Sequence, residues 1–218
     1  MAVTWLCCRR VRWLPEKRIF PKKKTMLANQ INFDAISFSA FAAAKGVKTA
    51  QCALNGAPVE FLLSDSEFFA APFGASAFGN AEGQTRLTLE LDVTHSPVLG
   101  VLQAAETSII RKAYADGIFE GKSLEDVQKQ YHSCIAFSEK YQSYRVRTKI
   151  QTAGFYACRF FLSPDKTKVS FDDLNLRMST VRPHIRFKGL WSQGGQWGIQ
   201  FEVINLLVQP KSEAPDPF

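Results

Sequence analysis

The sequence predicts one mainly β domain interrupted by a helical segment, antiparallel and built as a barrel or a sandwich. Three observations predict it. Residues 85–93 alternate without a break, with Leu87, Leu89, Leu91 and Val93 on one side and Arg86, Thr88, Glu90 and Asp92 on the other, which is the period of a half-buried strand. Leu99, Leu102, Ile109, Ile110 and Ala113 then recur at helical spacing behind a Ser96-Pro97 start, with serine as cap and proline at the first helical position. Residues 182–208 read as two extended runs flanking Ser192-Gln193-Gly194-Gly195-Gln196, where glycines supply the positive-φ turn of a hairpin.

The remaining elements follow in chain order. Ile31, Phe33, Ile36, Phe38 and Phe41 suggest a strand whose phase breaks near Ala35, as at a bulge. Residues 47–54 and 58–63 read as two strands joined through Asn55-Gly56, a strong hairpin turn. Residues 66–83 are rich in Ala, Gly and Phe and read as a loop held by Phe68, Phe73 or Phe78. A helix over 97–115 ends near Gly117. A second starts at a Ser123–Asp126 capping box and runs to about Cys134, packing through Leu124, Val127 and Tyr131. Residues 144–151 alternate again, with Tyr144, Val146, Thr148 and Ile150 on one face and Arg145, Arg147 and Lys149 on the other. Residues 155–162 continue the sheet, Ser163-Pro164-Asp165-Lys166 turns, and 167–171 form a short strand. The body spans residues 26–209, with the helical insertion at about 97–134. No internal repeat is visible.

The net charge of +7 is segregated. Residues 1–24 carry +7, residues 25–138 carry −5, residues 139–190 carry +7 and residues 191–218 carry −2. Such segregation speaks about partners, and it favours an anionic ligand for the third segment. Residues 1–25 form a basic arm without the apolar core of a secretory signal, so disorder is expected there. The run KRIFPKKK offers nuclear import or nucleic-acid contact. Cys7-Cys8 beside arginines offers lipid modification. Five cysteines without a CxxC argue against a disulfide scaffold or zinc site and for a reducing compartment inside the cell. An import role for the arm would place the chain in a nucleus or at a site of viral replication. No apolar run approaches the roughly 20 residues of a membrane helix, so no membrane partner is expected.

Catalytic chemistry is poorly represented. The histidines are His95, His132 and His184, and there is no nucleophile elbow, Walker loop or HExxH. Glu125-Asp126 and Asp172-Asp173 read as cap and loop chemistry, since adjacent carboxylates on a strand face opposite ways. His132 and Cys134, read as helical, point apart. The chain is therefore expected to be no enzyme and to hold neither cofactor nor metal.

Binding chemistry is better represented. Arg145, Arg147 and Lys149 share one strand face, Arg159 extends them, and Arg182, Arg186 and Lys188 project from one face of the hairpin's first strand. If these strands are neighbours they line a cationic groove, which tracks a phosphate backbone. Phe155, Tyr156, Trp191 and Trp197 are the candidate stacking platforms, with the tryptophans placed at the hairpin tip.

The ending HIRFKGLWSQGGQWGIQFEVINLLVQP resembles the closing hairpin of viral single-stranded DNA-binding proteins, those of bacteriophages and large eukaryotic DNA viruses. Lys188-Gly189-Leu190-Trp191 and Trp197-Gly198-Ile199 carry the likeness. LTLELDVTHSPVLGVLQAAE is similar to the strand and helix inserted in their barrel. The resemblance implies an OB-like barrel and sequence-independent binding of single-stranded DNA, with RNA as the variant ligand, in replication, recombination or repair. It also implies that the tail, residues 210–218, docks replication or recombination proteins through Asp216, Pro217 and Phe218. That tail is less acidic than the family pattern, and the basic arm before Met26 is foreign to it. A homodimer is compatible with this reading. The rival is a small jelly-roll capsid protein whose basic arm packages a genome.

Overall fold

The two longest strands are the last two, Ser179–Gln193 and Gln196–Pro210. They are joined through Gly194 and Gly195 at φ +59° and +81°, the turn whose twist matches paired strands. In this computed structural model, which describes residues 25–44, 46–77 and 83–211, they are the spine of the fold. Numbered in chain order, the strands are β1 (Met26–Leu27), β2 (Ile36–Phe38), β3 (Ala42–Ala44), β4 (Val47–Leu54), β5 (Val59–Leu62), β6 (Phe69–Ala70), β7 (Ala75–Ser76) and β8 (Arg86–Asp92). Helices α1 (Val98–Ala115) and α2 (Leu124–Lys129) intervene. Then come β9 (Ile135–Ser138), β10 (Ser143–Gln151), β11 (Arg159–Leu162), β12 (Thr167–Val169), β13 (Ser179–Gln193) and β14 (Gln196–Pro210).

One edge of β13 pairs with β14, while its other edge meets β6, β5 and β4 in turn along its length. The far edge of β14 meets β10 and β11, and β10 carries β8 and β9. Two long strands thus bring the chemistry of seven short ones into one mixed sheet. The helices lie between β8 and β9 in sequence. Val98, Leu102, Ala105, Ile109 and Ala113 of α1 are buried, so its apolar stripe joins the core, where Phe61 packs edge-on against Phe33 and Phe201.

The expectation of an antiparallel OB-like barrel needs correction. The path β1-β5-β13-β14-β10-β8-β7 does not return on itself among the described residues. Pairs β1–β5, β10–β14 and β11–β14 are parallel. Each parallel pair is separated by enough chain for a crossover, which short hairpin loops would forbid.

Local expectations shift for identifiable reasons. The strand expected over Ile31–Phe41 is mostly two 3-10 turns, Ala28–Gln30 and Phe33–Ala35, followed by the short β2. Asn32 Oδ1 accepts the Asp34 N–H at 3.1 Å, a local alternative to ladder pairing. Helix α2 has its Ser123–Asp126 capping box, and that box holds the Asp126 carboxyl below its usual range. The helix stops at Lys129 because residues 130–132 are drawn onto β14: the Trp197 N–H donates to Gln130 O, and the His132 N–H to Trp197 O at 2.7 Å. The strand expected over 155–162 begins only at Arg159; residues 155–157 belong to a loop that turns at Gly154 with φ +92°. Residues 1–24, Phe78 and the tail residues Asp216, Pro217 and Phe218 lie outside the described residues.

Candidate nucleic-acid interface

The outward faces of β8 and β10 form the floor of a cleft of about 1020 Å³. That is at the upper end of the roughly 300–1,000 Å³ range of ligand pockets. On β10, Val146, Thr148 and Ile150 are buried, which turns Arg145, Arg147, Lys149 and Gln151 outward. Register sets Glu90 opposite Arg147, Thr88 opposite Lys149 and Arg86 opposite Gln151. Arg86, Arg147 and Lys149 therefore line one wall-to-wall surface, with His132, Trp191 and Gln200 around them.

Charge in the cleft is unbalanced. Glu90 accepts from Arg145 Nη1 at 2.8 Å and from Arg147 Nε at 3.2 Å, so one carboxylate serves two guanidiniums. Lys149 Nζ donates to Thr88 Oγ1 at 2.8 Å. Neither Lys149 nor Arg86 meets a carboxylate among the described residues. Burial, helped by the charges of Arg86 and Arg147, pushes the Lys149 ammonium below the usual lysine value. A partly dehydrated cation flanked by like charges gains from an incoming anion.

Trp191 sits where β13 passes Gly198 of β14. A Cβ on Gly198 would fall 2.9 Å from Trp191 Nε1 and 3.0 Å from Cε2. The indole therefore lies along the strand in space that only glycine leaves. The His132 ring meets it edge-on, centroids 6.1 Å apart. His132 Nε2 is also 3.4 Å from Arg147 Nη1.

The wall carrying His132 is held by α1. Glu106 accepts from Tyr131 Oη at 2.7 Å, from Ser133 Oγ at 2.8 Å and from the Cys134 N–H at 2.9 Å. Burial and this carboxylate push the Tyr131 phenol and the Cys134 thiol upward, and burial takes Cys52 and Cys158 to about 12. Thiols so held are structural rather than nucleophilic. His132 and Cys134, expected to diverge on a helix, lie beyond the end of α2 at Lys129, and both line the cleft.

Of the sequence-predicted site residues, the structure gathers Arg147, Lys149 and Trp191 in the cleft. Arg145 is committed elsewhere: it pairs with Glu90 and lies over Phe73 with its guanidinium 4.7 Å from the ring centroid. Trp197 is a core residue, 1% exposed. It stacks on Phe119 and Tyr131 at 4.6 and 4.8 Å, and its indole N–H donates to Val127 O. The two tryptophans of the hairpin thus face opposite sides of the sheet, because the two-residue turn pairs Trp197 with Ser192 and Trp191 with Gly198, and neighbouring strand positions point to opposite faces. Arg186 pairs with Glu60, Lys188 with Glu202, and Arg159 donates to Asn205 Oδ1, all outside the cleft lining. Arg182 donates to Asp65 O and covers Phe68. Phe155 and Tyr156 protrude from the 152–157 loop. Arg86 and His132 enter the cleft without having been singled out. The alternation of β8 made Arg86's outward direction legible, but its pairing with β10 was not.

No three His, Cys, Asp or Glu side chains cluster as a metal site among the described residues, and no described helix is long and apolar enough to cross a membrane.

No family model matches the chain, and no curated protein matches it. Similar solved structures do exist. One is gp2.5, a single-stranded DNA-binding protein encoded by bacteriophage T7. It has a TM-score of 0.47 and 11% identity, covering 73% of this chain and 91% of that one. Another is the single-stranded DNA-binding protein of bacteriophage Enc34 in complex with ssDNA. It has a TM-score of 0.47 and 8% identity, covering 83% of this chain and 99% of that one.

Proposed function

We propose that this chain binds single-stranded DNA without sequence preference. The observation that supports the reading is the convergence of Arg86, Arg147 and Lys149 with one shared carboxylate in a cleft that also holds Trp191. Cations at successive outward positions follow a phosphate backbone. The Trp191 indole in the cleft offers a platform for one base, and every base has a π-face, so stacking tolerates sequence. The bases of a duplex are already stacked on each other, which selects for the single strand. The polar side chains Thr88, Gln193 and Gln200 complete the lining without imposing a base code. Such a protein serves transactions that expose single strands, namely replication, recombination or repair.

Titration of the full chain with labelled oligothymidine and with a matched duplex, at two salt concentrations, tests this. Tighter binding of the single strand is expected, with log affinity falling by about 0.7 per engaged phosphate for each decade of salt. Equal affinity for both forms refutes the reading and favours the basic arm of a capsid protein as the binding element.

The Lys149 shift gives a second expected result. Phosphate binds the ammonium form, and the free protein loses that proton at a lower pH than an ordinary lysine does. Affinity for oligothymidine is thus expected to weaken as pH rises through the alkaline range, beginning below the usual lysine titration. Lys149→Arg keeps its charge there and should flatten the profile. An unchanged profile in Lys149→Arg would exclude Lys149 as the phosphate contact.

A further inference from the structure

We infer that Phe155 and Tyr156 form a second base-stacking station for the same strand, at the end of the cationic row opposite Trp191. The inference rests on the single-strand reading above and adds a length to it. Phe155 is 94% exposed and Tyr156 73% exposed. Two adjacent large aromatics in that state do nothing for the core, and such exposure marks an interaction surface.

The loop that presents them is tied at its neck. The Thr152 N–H donates to Thr85 O and the Cys158 N–H to Gln151 O, each at 2.7 Å, and the Ala157 N–H donates to Gly154 O. The Gln151 side chain donates to Thr85 Oγ1 and to Ala153 O. The two rings stand perpendicular, 88° apart with centroids at 5.0 Å, so a base laid on one ring meets the edge of the other.

Position identifies the occupant. Thr85 and Arg86, which line the cleft, are the residues to which the loop neck is bonded and paired. From the Trp191 and His132 end the row passes Arg147, then Lys149, then Arg86 opposite Gln151, and arrives at the loop. Arg147 to Gln151 alone covers about 13 Å of extended chain. The surroundings of the loop are polar or cationic, with Thr85, Arg86, Gln151 and Arg159, so an apolar protein face has nothing to match there. A polyanion bearing flat bases matches both the charge and the rings. A strand held at Trp191 that follows the phosphate row leaves the cleft over these two residues.

The test compares two oligothymidines, one of about three nucleotides and one of about twelve, against single-stranded site sizes of about 4–16 nucleotides. In the full chain, Phe155→Ala with Tyr156→Ala should weaken the long oligomer at least about five-fold and leave the short one within about two-fold. Trp191→Ala should weaken both. Phe155→Trp with Tyr156→Ala should restore long-oligomer binding, and the added indole should be quenched by the long oligomer and not by the short one. The second station is overturned if the double variant binds the long oligomer like the unaltered chain, or if it loses both lengths equally. Failure of the unaltered chain to bind either oligomer would overturn the single-strand reading itself and the station with it. Both positions are solvent-exposed, and the denaturation midpoint of the double variant checks that the fold is intact.

Discussion

Gly189→Ala is expected to destabilise the protein by about 3–5 kcal/mol, combining a left-handed backbone penalty with overpacking. Gly189 has φ +126°. A Cβ there would fall 1.9 Å from Ala50 O, 2.9 Å from Ala50 C and 3.1 Å from Gln51 Cα. These are backbone atoms of β4, held in register with β13 from Gly189–Gln51 to Ser192–Lys48. No side chain can rotate away, so the two strands must separate. Gly195, at φ +81° with nothing within 4 Å, is the control, because Gly195→Ala meets only the backbone penalty of about 1–2 kcal/mol. Chemical denaturation of both variants measures the difference. Equal midpoints would mean that the β4–β13 contact is not as close as described. The same glycine explains the Lys188-Gly189-Leu190-Trp191 motif: the strand bulges after Phe187, and only a residue without Cβ passes β4 there.

Arg86→Ala with Lys149→Ala is expected to weaken oligothymidine binding by at least about 100-fold. Each lost charge-assisted contact is worth about 1.5–3 kcal/mol, and about 1.4 kcal/mol is ten-fold. The slope of log affinity against log salt should fall by about 1.4, two phosphates at about 0.7 each. These two cations are the informative pair because no described carboxylate neutralises them. Removing them breaks no ion pair among the described residues, so stability should hold within about 0.5 kcal/mol. Arg186→Ala, by contrast, strips Glu60 of its two hydrogen bonds from that guanidinium and should act on stability more than on binding. The measurement is fluorescence anisotropy of labelled oligothymidine at several salt concentrations. Unchanged affinity in the Arg86/Lys149 variant would remove the cleft from the binding reaction and return the role to the basic arm.

The parts of this fold that were legible in the sequence are those set by neighbours in the chain. Alternation over residues 85–93 and 144–151 gave the directions of Arg86, Arg147 and Lys149, and the Gly194-Gly195 turn gave the hairpin. Trp197 was illegible because its burial depends on Phe119, Tyr131 and Val127, which lie far off in sequence. Phe155 and Tyr156 looked like strand, but Gly154 and the bonds to Thr85 make their segment a loop.

The amino-acid order by itself determined which side chains share a face, since a period of two or of 3.6 is written into each element. It also fixed the segregation of charge along the chain and the helical insertion between two sets of strands. Which cations remain without a described carboxylate follows from pairing in three dimensions. Pairing across strands set Glu60 against Arg186, Glu202 against Lys188 and Glu90 between Arg145 and Arg147, and left Arg86 and Lys149 without a described carboxylate in the cleft. The reason is physical: side-chain direction is a local property of the backbone, whereas register between distant strands is fixed by core packing and by the one or two glycines that let strands approach.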